Sequence, residues 1–295
     1  MATYTNLDNE IFAQKALEGF VKELAPLSAF STNFSAAAIS QKGDTVLVPL
    51  VSSLTATTFG GSYAICGGTK SAITVSINRH KHVPIGQTDL TAASSSVASL
   101  ESFAFQQGRA LAQAVIEDIF TLLTTANFAL ATAVASTALD VPQIRKARLL
   151  LNQANAPKEP RALILDCVPY DALLSVTNFV QAYMFKDNGV LADGRIMRAL
   201  GFDMWEVNDA FGSVNSVMGF AGHAQSIAVA MRYLMPQAGN TYNDARAVSD
   251  PETGLTFGLR DHFDNNTGTR YINLEANYGY SVGISNGARL IKRTD

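Results

Sequence analysis

Residues 94–128 read SSSVASLESFAFQQGRALAQAVIEDIFTLLTTANF. Leu100, Phe103, Leu111, Val115, Ile119 and Leu122 return to one helical face, and Ser95 or Ser96 is placed to cap it. From Val97 to Thr124 such a helix is about 40 Å long at ~1.5 Å per residue, the length of a whole domain. It predicts a spine on which sheets can lie. Its single internal glycine, Gly108, costs about 1 kcal/mol against alanine, so it marks either a close approach or a bend.

Upstream of the spine, TNLDNEIFAQKALEGFVKELAP (5–26) sets Phe12, Leu17, Phe20, Val21 and Leu24 at helical spacing. Thr5 or Asp8 serves as the cap and Pro26 as the stop. LSAFSTNFSAAAISQKGD (27–44) has no clear period, and residues 1–42 read as an arm with Phe12, Phe20, Phe30 and Phe34 as anchors, in its own chain or in a neighbour. GDTVLVPLV (43–51) and SAITVSINRHKH (71–82) alternate as strands do and should pair antiparallel. The Gly-, Ser- and Thr-rich link between them, with Phe59 and Tyr63, is longer than a compact domain needs. It fits a hairpin reaching a partner or a mobile surface loop.

Downstream, VPQIRKARLLLNQA (141–154) is a helix with Pro142 in its first turn. RALILDCV (161–168) is a buried strand, PYDALLSVTNFV (169–180) a helix and Phe202 to Val207 a strand. AQSIAVAMRYLM (224–235) fits helix or strand. The alternation predicts an α/β unit over about 140–235. The tail is strand-like in TYNDARAV, GLTFGLRDHFD, GTRYINLEANYGYSVGI and GARLIKR, separated by turn signals. Within it, GISNG (283–287) matches the serine nucleophile elbow of hydrolases. A base histidine should follow Ser285, yet His80, His82, His223 and His262 all precede it, and eight residues after Gly287 are too few for the required helix. The pentapeptide is expected to be a turn in a hairpin.

The chain has 295 residues, 47% of them hydrophobic, enough to bury a large core. A net charge of −3 without a basic run argues against binding nucleic acid by phosphate neutralisation. Only 16% of residues are charged, below the usual quarter or so. Extensive burial against copies of itself would give this composition, as would an Ala-rich monomer. Cys66 and Cys167 make neither a disulfide framework nor a zinc site, and neither a secretory signal nor an apolar run long enough for a membrane span is present. CGGTKS (66–71) departs from a phosphate loop because Thr69 precedes Lys70; His80 and His82 make at most half a metal site; DHFDNN (261–266) lacks the spacing of a calcium loop. No cofactor or metal is implied.

NGVLADGRIMRALGFDMWEVNDA (188–210), together with KGDTVLVPLV and YSVGISNGARLIK, resembles the major capsid proteins of tailed bacteriophages, which have the Hong Kong 97 fold. The resemblance covers nearly the whole chain and rests on the order of its segments. It implies an α+β chain with an N-terminal arm (1–42), an extended hairpin loop (43–88), a peripheral domain with the spine helix (89–139), an axial α/β domain (140–240) and late strands returning to the peripheral domain (241–295). It also implies a non-enzymatic subunit forming hexamers and pentamers that close into an icosahedral shell around double-stranded DNA, assembled in the host bacterial cytoplasm. Subunit contacts are then expected at Phe12, Phe20, Phe30, Phe34, Phe59, Tyr63, Lys70 and Arg79. The implied partners are a separate scaffolding protein, favoured by Met1 and the absence of a long leading domain, a portal and cement proteins, with no membrane. Some relatives weld their shells through a hairpin lysine and a neighbour's asparagine; Lys70 with Asn265, Asn266, Asn273 or Asn277 is the corresponding set, and no weld is expected. The rivals are the shell of a cellular nanocompartment and a serine hydrolase using Ser285.

Overall fold

A computed structural model of the chain describes residues 4–28, 31–33, 45–51, 58–59, 61, 70–88, 97–176, 196, 198–208, 211, 216–236, 242–250 and 254–295. Its centre is the pair of helices α1 (Tyr4–Ser28) and α2 (Val97–Phe120). Small residues bring them together: a Cβ at Gly108 would lie 2.1 Å from the Ala16 carbonyl oxygen, and one at Gly19 would lie 2.4 Å from that of Phe105. Gly108 therefore marks a close approach. Helix α1 runs two residues past Pro26, which sits in its last turn, where its missing N–H removes only one bond near the end of the ladder.

The amphipathic helix expected in the arm forms over residues 4–28, and its anchors lie in their own chain. Phe12, Ala16, Phe20, Leu24 and Leu27 are buried with Leu111, Val115 and Ile119 of α2 in one core, because the apolar stripe of α1 faces the spine of its own chain. Phe103, expected on the buried stripe, is exposed, and Ala104 takes its place.

One sheet lies along this core. Strand β1 (Ser31–Asn33) pairs with β10 (Ile227–Arg232), followed by β13 (Thr269–Val282), β12 (Thr256–Asp264) and β11 (Asp244–Ser249). The long β13 also pairs antiparallel with β4 (Arg79–Thr88) over Thr269–Tyr278. Strand β10 resolves the ambiguous 224–235 segment. Ile227, Val229 and Met231 enter the helix core, while Ala228 and Ala230 lie against a hairpin of β2 (Thr45–Val51) and β3 (Lys70–Ser76). A strand buried on both faces has no polar period to read. The hairpin pairs antiparallel as expected, from Thr45↔Ser76 to Val51↔Lys70. A Cβ at Gly279 would lie 2.0 Å from the Ser76 carbonyl oxygen, so β13 must be bare where the hairpin crosses it.

The second sheet has the order β5-β14-β9-β6-β8-β7, from β5 (Ala129–Val134), β6 (Arg161–Asp166), β7 (Arg198–Ala199), β8 (Phe202–Val207), β9 (Val217–His223) and β14 (Ala288–Arg293). Helices α3 (Val141–Gln153) and α4 (Cys167–Leu174) pack on one face. Asp140 caps α3 in a capping box with Gln143. Strand β6 alternates perfectly: Ala162 and Ile164 enter the core around α2, while Leu163 and Leu165 enter the core beneath α3 and α4.

Three strands depart from the expected division at 139/140 and 240/241. Strands β5 and β14 belong to the α/β sheet, and β10 belongs to the sheet on the spine. The chain changes sheets at two short 3-10 turns, Ala224–Ser226 and Ser285–Gly287. These turns bond to each other's flanks, Gly283 N to Ser226 O at 2.9 Å and Ile284 N to Gln225 O at 3.0 Å. GISNG is thus a crossover between sheets and not the expected hairpin turn. Gly283 is required because a Cβ would sit 2.1 Å from the Gln225 carbonyl oxygen.

Candidate inter-subunit surfaces

The β2–β3 hairpin presents two unlike faces. Val46, Val48, Val75 and Ile77 are buried against β10, whereas Leu47, Thr74 and Ser76 on the other face meet solvent. Leu47 is 59% exposed and Phe59, beyond the end of β2, is 63% exposed. Such a face fits a contact with a second chain. Arg79, at the hairpin's foot, is half exposed and engages its own chain: its Nη1 donates to Asp118 at 2.9 Å and its guanidinium lies 4.8 Å from the Tyr280 ring centre. Asp118 also accepts from the Tyr278 hydroxyl at 2.7 Å. Burial, followed by that carboxylate, pushes the Tyr278 phenol far above its ordinary range.

Phe12 and Phe20, expected at subunit contacts, are corrected: at 2% and 0% exposure they have no surface left for a neighbour. Lys70 begins β3. Phe30, Phe34 and Tyr63 lie outside the described residues, as do Cys66 to Thr69 of the phosphate-loop reading. His80 and His82 face β13, His80 Nε2 lying 3.3 Å from Glu275 Oε2. Among the described residues no three His, Cys, Asp or Glu side chains come together as a metal site. DHFDNN, expected as a turn, is strand β12 through Asp264 and turns only from Asn265, where Asp264 accepts from Asn266 N at 2.9 Å and from Thr267 Oγ1 at 3.0 Å. Among the described residues no hydrogen bond joins Ser285 to a histidine.

Two charged surfaces were missed in the sequence reading. Three cations in QIRKAR, Arg145, Lys146 and Arg148, stand on the exposed face of α3 and line a groove of about 460 Å³ with Pro142, Leu149, Asn152 and Leu200. Behind it lies buried Arg161, which donates to neutral oxygens, the Pro157 and Ala156 carbonyls and Asn152 Oδ1. Burial, and next the Arg148 cation, lower the Arg161 pKa. At the other end of β6 and β8 are Asp166, Asp171 and Glu206. Burial, and next the Asp171 and Asp166 carboxylates, raise the Glu206 pKa above the usual carboxylate range. The dense basic run was readable on α3. The acidic set was not, because its members are five and thirty-five residues apart along the chain.

With this geometry in view, the comparisons agree. A family model described as phage capsid protein matches residues 60–231, more than half of the chain. Among solved structures, a chain from Mycobacterium phage Che8 is similar at 17% identity with a TM-score of 0.56, covering 91% of this chain and 90% of that one. A chain of the capsid structure of the Cyanophage P-SCSP1u is similar at 14% identity and TM-score 0.59, covering 92% and 88%. A virus-like particle from Pyrococcus furiosus is similar at 12% identity and TM-score 0.56, covering 96% and 98%. No curated protein matches the sequence. The fold is that of shell-forming subunits of the Hong Kong 97 type. The chain belongs to the phage capsid protein family. It is a major capsid protein, a structural component of the virion that assembles with copies of itself.

Proposed function

We propose that this chain associates through hexamers and pentamers into an icosahedral shell enclosing the double-stranded DNA of a tailed phage. The carrying observation is the capsid family match over residues 60–231, spanning β3 and β4, the spine and most of the α/β sheet. Assembly proceeds in the bacterial cytoplasm with a separate scaffolding protein and a portal, and cement proteins can join the finished surface. The role is structural rather than catalytic. The β2–β3 hairpin and its exposed Leu47 and Phe59 lie over a neighbouring subunit. A chain with a net charge of −3 contains DNA without gripping it, since strong retention needs many neutralised phosphates.

Electron microscopy with sedimentation, on the purified chain with and without its scaffolding partner, tests this reading. Closed shells of uniform diameter are expected, with DNA inside those recovered from infected cells. Small oligomers alone, even with the scaffold supplied, would overturn it. An enzyme inside the shells instead of DNA would assign the nanocompartment role.

A further inference from the structure

We propose that the basic groove on α3 of one copy receives the acidic edge formed by α4 and the end of β8 of a second copy. The contact deepens the shell reading and rests on it.

The two surfaces sit at opposite ends of the same strands. Strands β6 and β8 run parallel in the register Ala162↔Asp203 to Asp166↔Val207. At their start, the Arg148 Cζ lies 3.8 Å from where a Cβ on Gly201 would be, and Leu200 lines the groove. At their finish stand Asp166, Glu206 and, on the following helix, Asp171. From Gly201 to Glu206 the chain advances about 17 Å at ~3.4 Å per residue. One domain therefore carries a positive end and a negative end, the arrangement that a head-to-tail contact between identical copies uses and that generates a ring when the rotation closes.

The chemistry matches in kind as well as sign. Leu149, 55% exposed, stands among Arg145, Lys146 and Arg148, and Val168, 46% exposed, stands beside Asp171. Each charged surface thus includes an exposed apolar side chain. Both surfaces also carry like-charge repulsion, Arg148 on Arg161 and Asp171 and Asp166 on Glu206, which the opposite surface relieves. The nearby carboxylates at the positive end, Glu159 and Asp203, are taken by Arg198 at 3.1 and 3.6 Å. Among the described residues no ion pair reaches Arg145, Lys146, Arg148, Asp171 or Glu206. DNA would satisfy the cations but not the leucines between them.

Charge reversal of each side, and then of both, tests the contact. Arg145→Glu with Lys146→Glu, or Asp171→Lys with Glu206→Lys, should each lower the yield of shells roughly tenfold or more, because like charges then face one another. All four substitutions in one chain should recover most of that yield. The milder Arg145→Gln with Lys146→Gln should act in the same direction, and unchanged melting curves identify chains that fold normally. Normal assembly of both reversed chains, or no recovery by a fourfold variant that folds normally, would overturn the contact alone. Normal shells that lose retained DNA on reversal of the groove would assign the groove to DNA and also overturn it. Failure of the unsubstituted chain to assemble would remove the shell reading and this contact together.

Discussion

Arg270 grips Asp261 side-on, its Nε donating to Oδ1 at 2.9 Å and its Nη2 to Oδ2 at 2.7 Å. Asn9 of α1 joins the pair, donating to Asp261 Oδ2 at 3.2 Å and accepting from Arg270 Nη2 at 2.9 Å. The first helix is thereby tied to β12 and β13, more than 250 residues along the chain. Asp261 is fully buried whereas Arg270 reaches solvent with part of its side chain.

That asymmetry sets the outcome of breaking the pair. Arg270→Met strands a buried carboxylate and should cost about 3–5 kcal/mol. Asp261→Asn leaves an arginine able to reach water and should cost about 1–3 kcal/mol. Urea denaturation of the unassembled chain measures both, and equal costs would show that the exposure of Arg270 is irrelevant.

Gly108→Ala should destabilise despite the helix propensity it gains, about 1 kcal/mol. The added methyl meets the Ala16 carbonyl oxygen 2.1 Å away, and the two helices must separate. A net loss of about 1–3 kcal/mol is expected from such overpacking. Gln106→Ala, on the exposed face of the same helix, should change stability by no more than about 0.5 kcal/mol.

Phe20 and Leu47 separate folding from assembly. Phe20→Ala empties a fully buried site whose ring packs tilted against Phe257, ring centres 5.0 Å apart, and should cost about 3–5 kcal/mol in the lone subunit. Leu47→Ser on the exposed hairpin face should leave subunit stability within about 0.5 kcal/mol while reducing shell yield. A melting temperature that falls with Leu47→Ser, at unchanged shell yield, would refute the role given to the hairpin.

Tyr278→Phe removes the donor to Asp118 and should cost about 1–2 kcal/mol. Because the folded phenol titrates above its ordinary value near 10, the unfolded chain loses that proton first. Stability contributed by Tyr278 is complete below pH 10 and declines above it, and the Phe variant should show a shallower alkaline decline.

His223 acts at the other end of the scale. Burial first, and then the Arg161 cation, lower its pKa, against a weaker opposing hydrogen bond that the imidazole donates to the Glu159 backbone. As pH falls below about 6.5 the unfolded chain takes up a proton that the folded imidazole still refuses. Stability is therefore present above that pH and lost below it. His223 accepts from Gln225 N at 3.3 Å in the first sheet crossover, so a His223→Asn variant should weaken the fold yet lose less additional stability between pH 7.5 and 5.5. Parallel pH slopes for the two chains would assign acid sensitivity elsewhere.

Much of the architecture was legible. The spine helix, α3 with its cap, β6, β8 and the pairing of β2 with β3 each carry a local period that burial on one or both faces explains. The order of these segments resembled a capsid chain, and the family match agrees. The subunit surfaces were less legible. Two phenylalanines expected to reach neighbours lie in the core, since a helical apolar stripe states that it will be buried but not against which chain.

What the sequence by itself determined was local: which residues form helices and strands, which faces are apolar, and that no serine-histidine pair is ordered as in a hydrolase elbow. Tertiary structure alone decided which sheet each strand joins, because β10 and β14 enter their sheets at turns that carry no change of composition and β5 enters the α/β sheet directly after the spine helix. It also decided the use of the glycines. Gly108, Gly279 and Gly283 look alike in sequence, yet each is required by a different carbonyl oxygen brought from elsewhere in the chain to within van der Waals distance of its α-carbon's missing substituent.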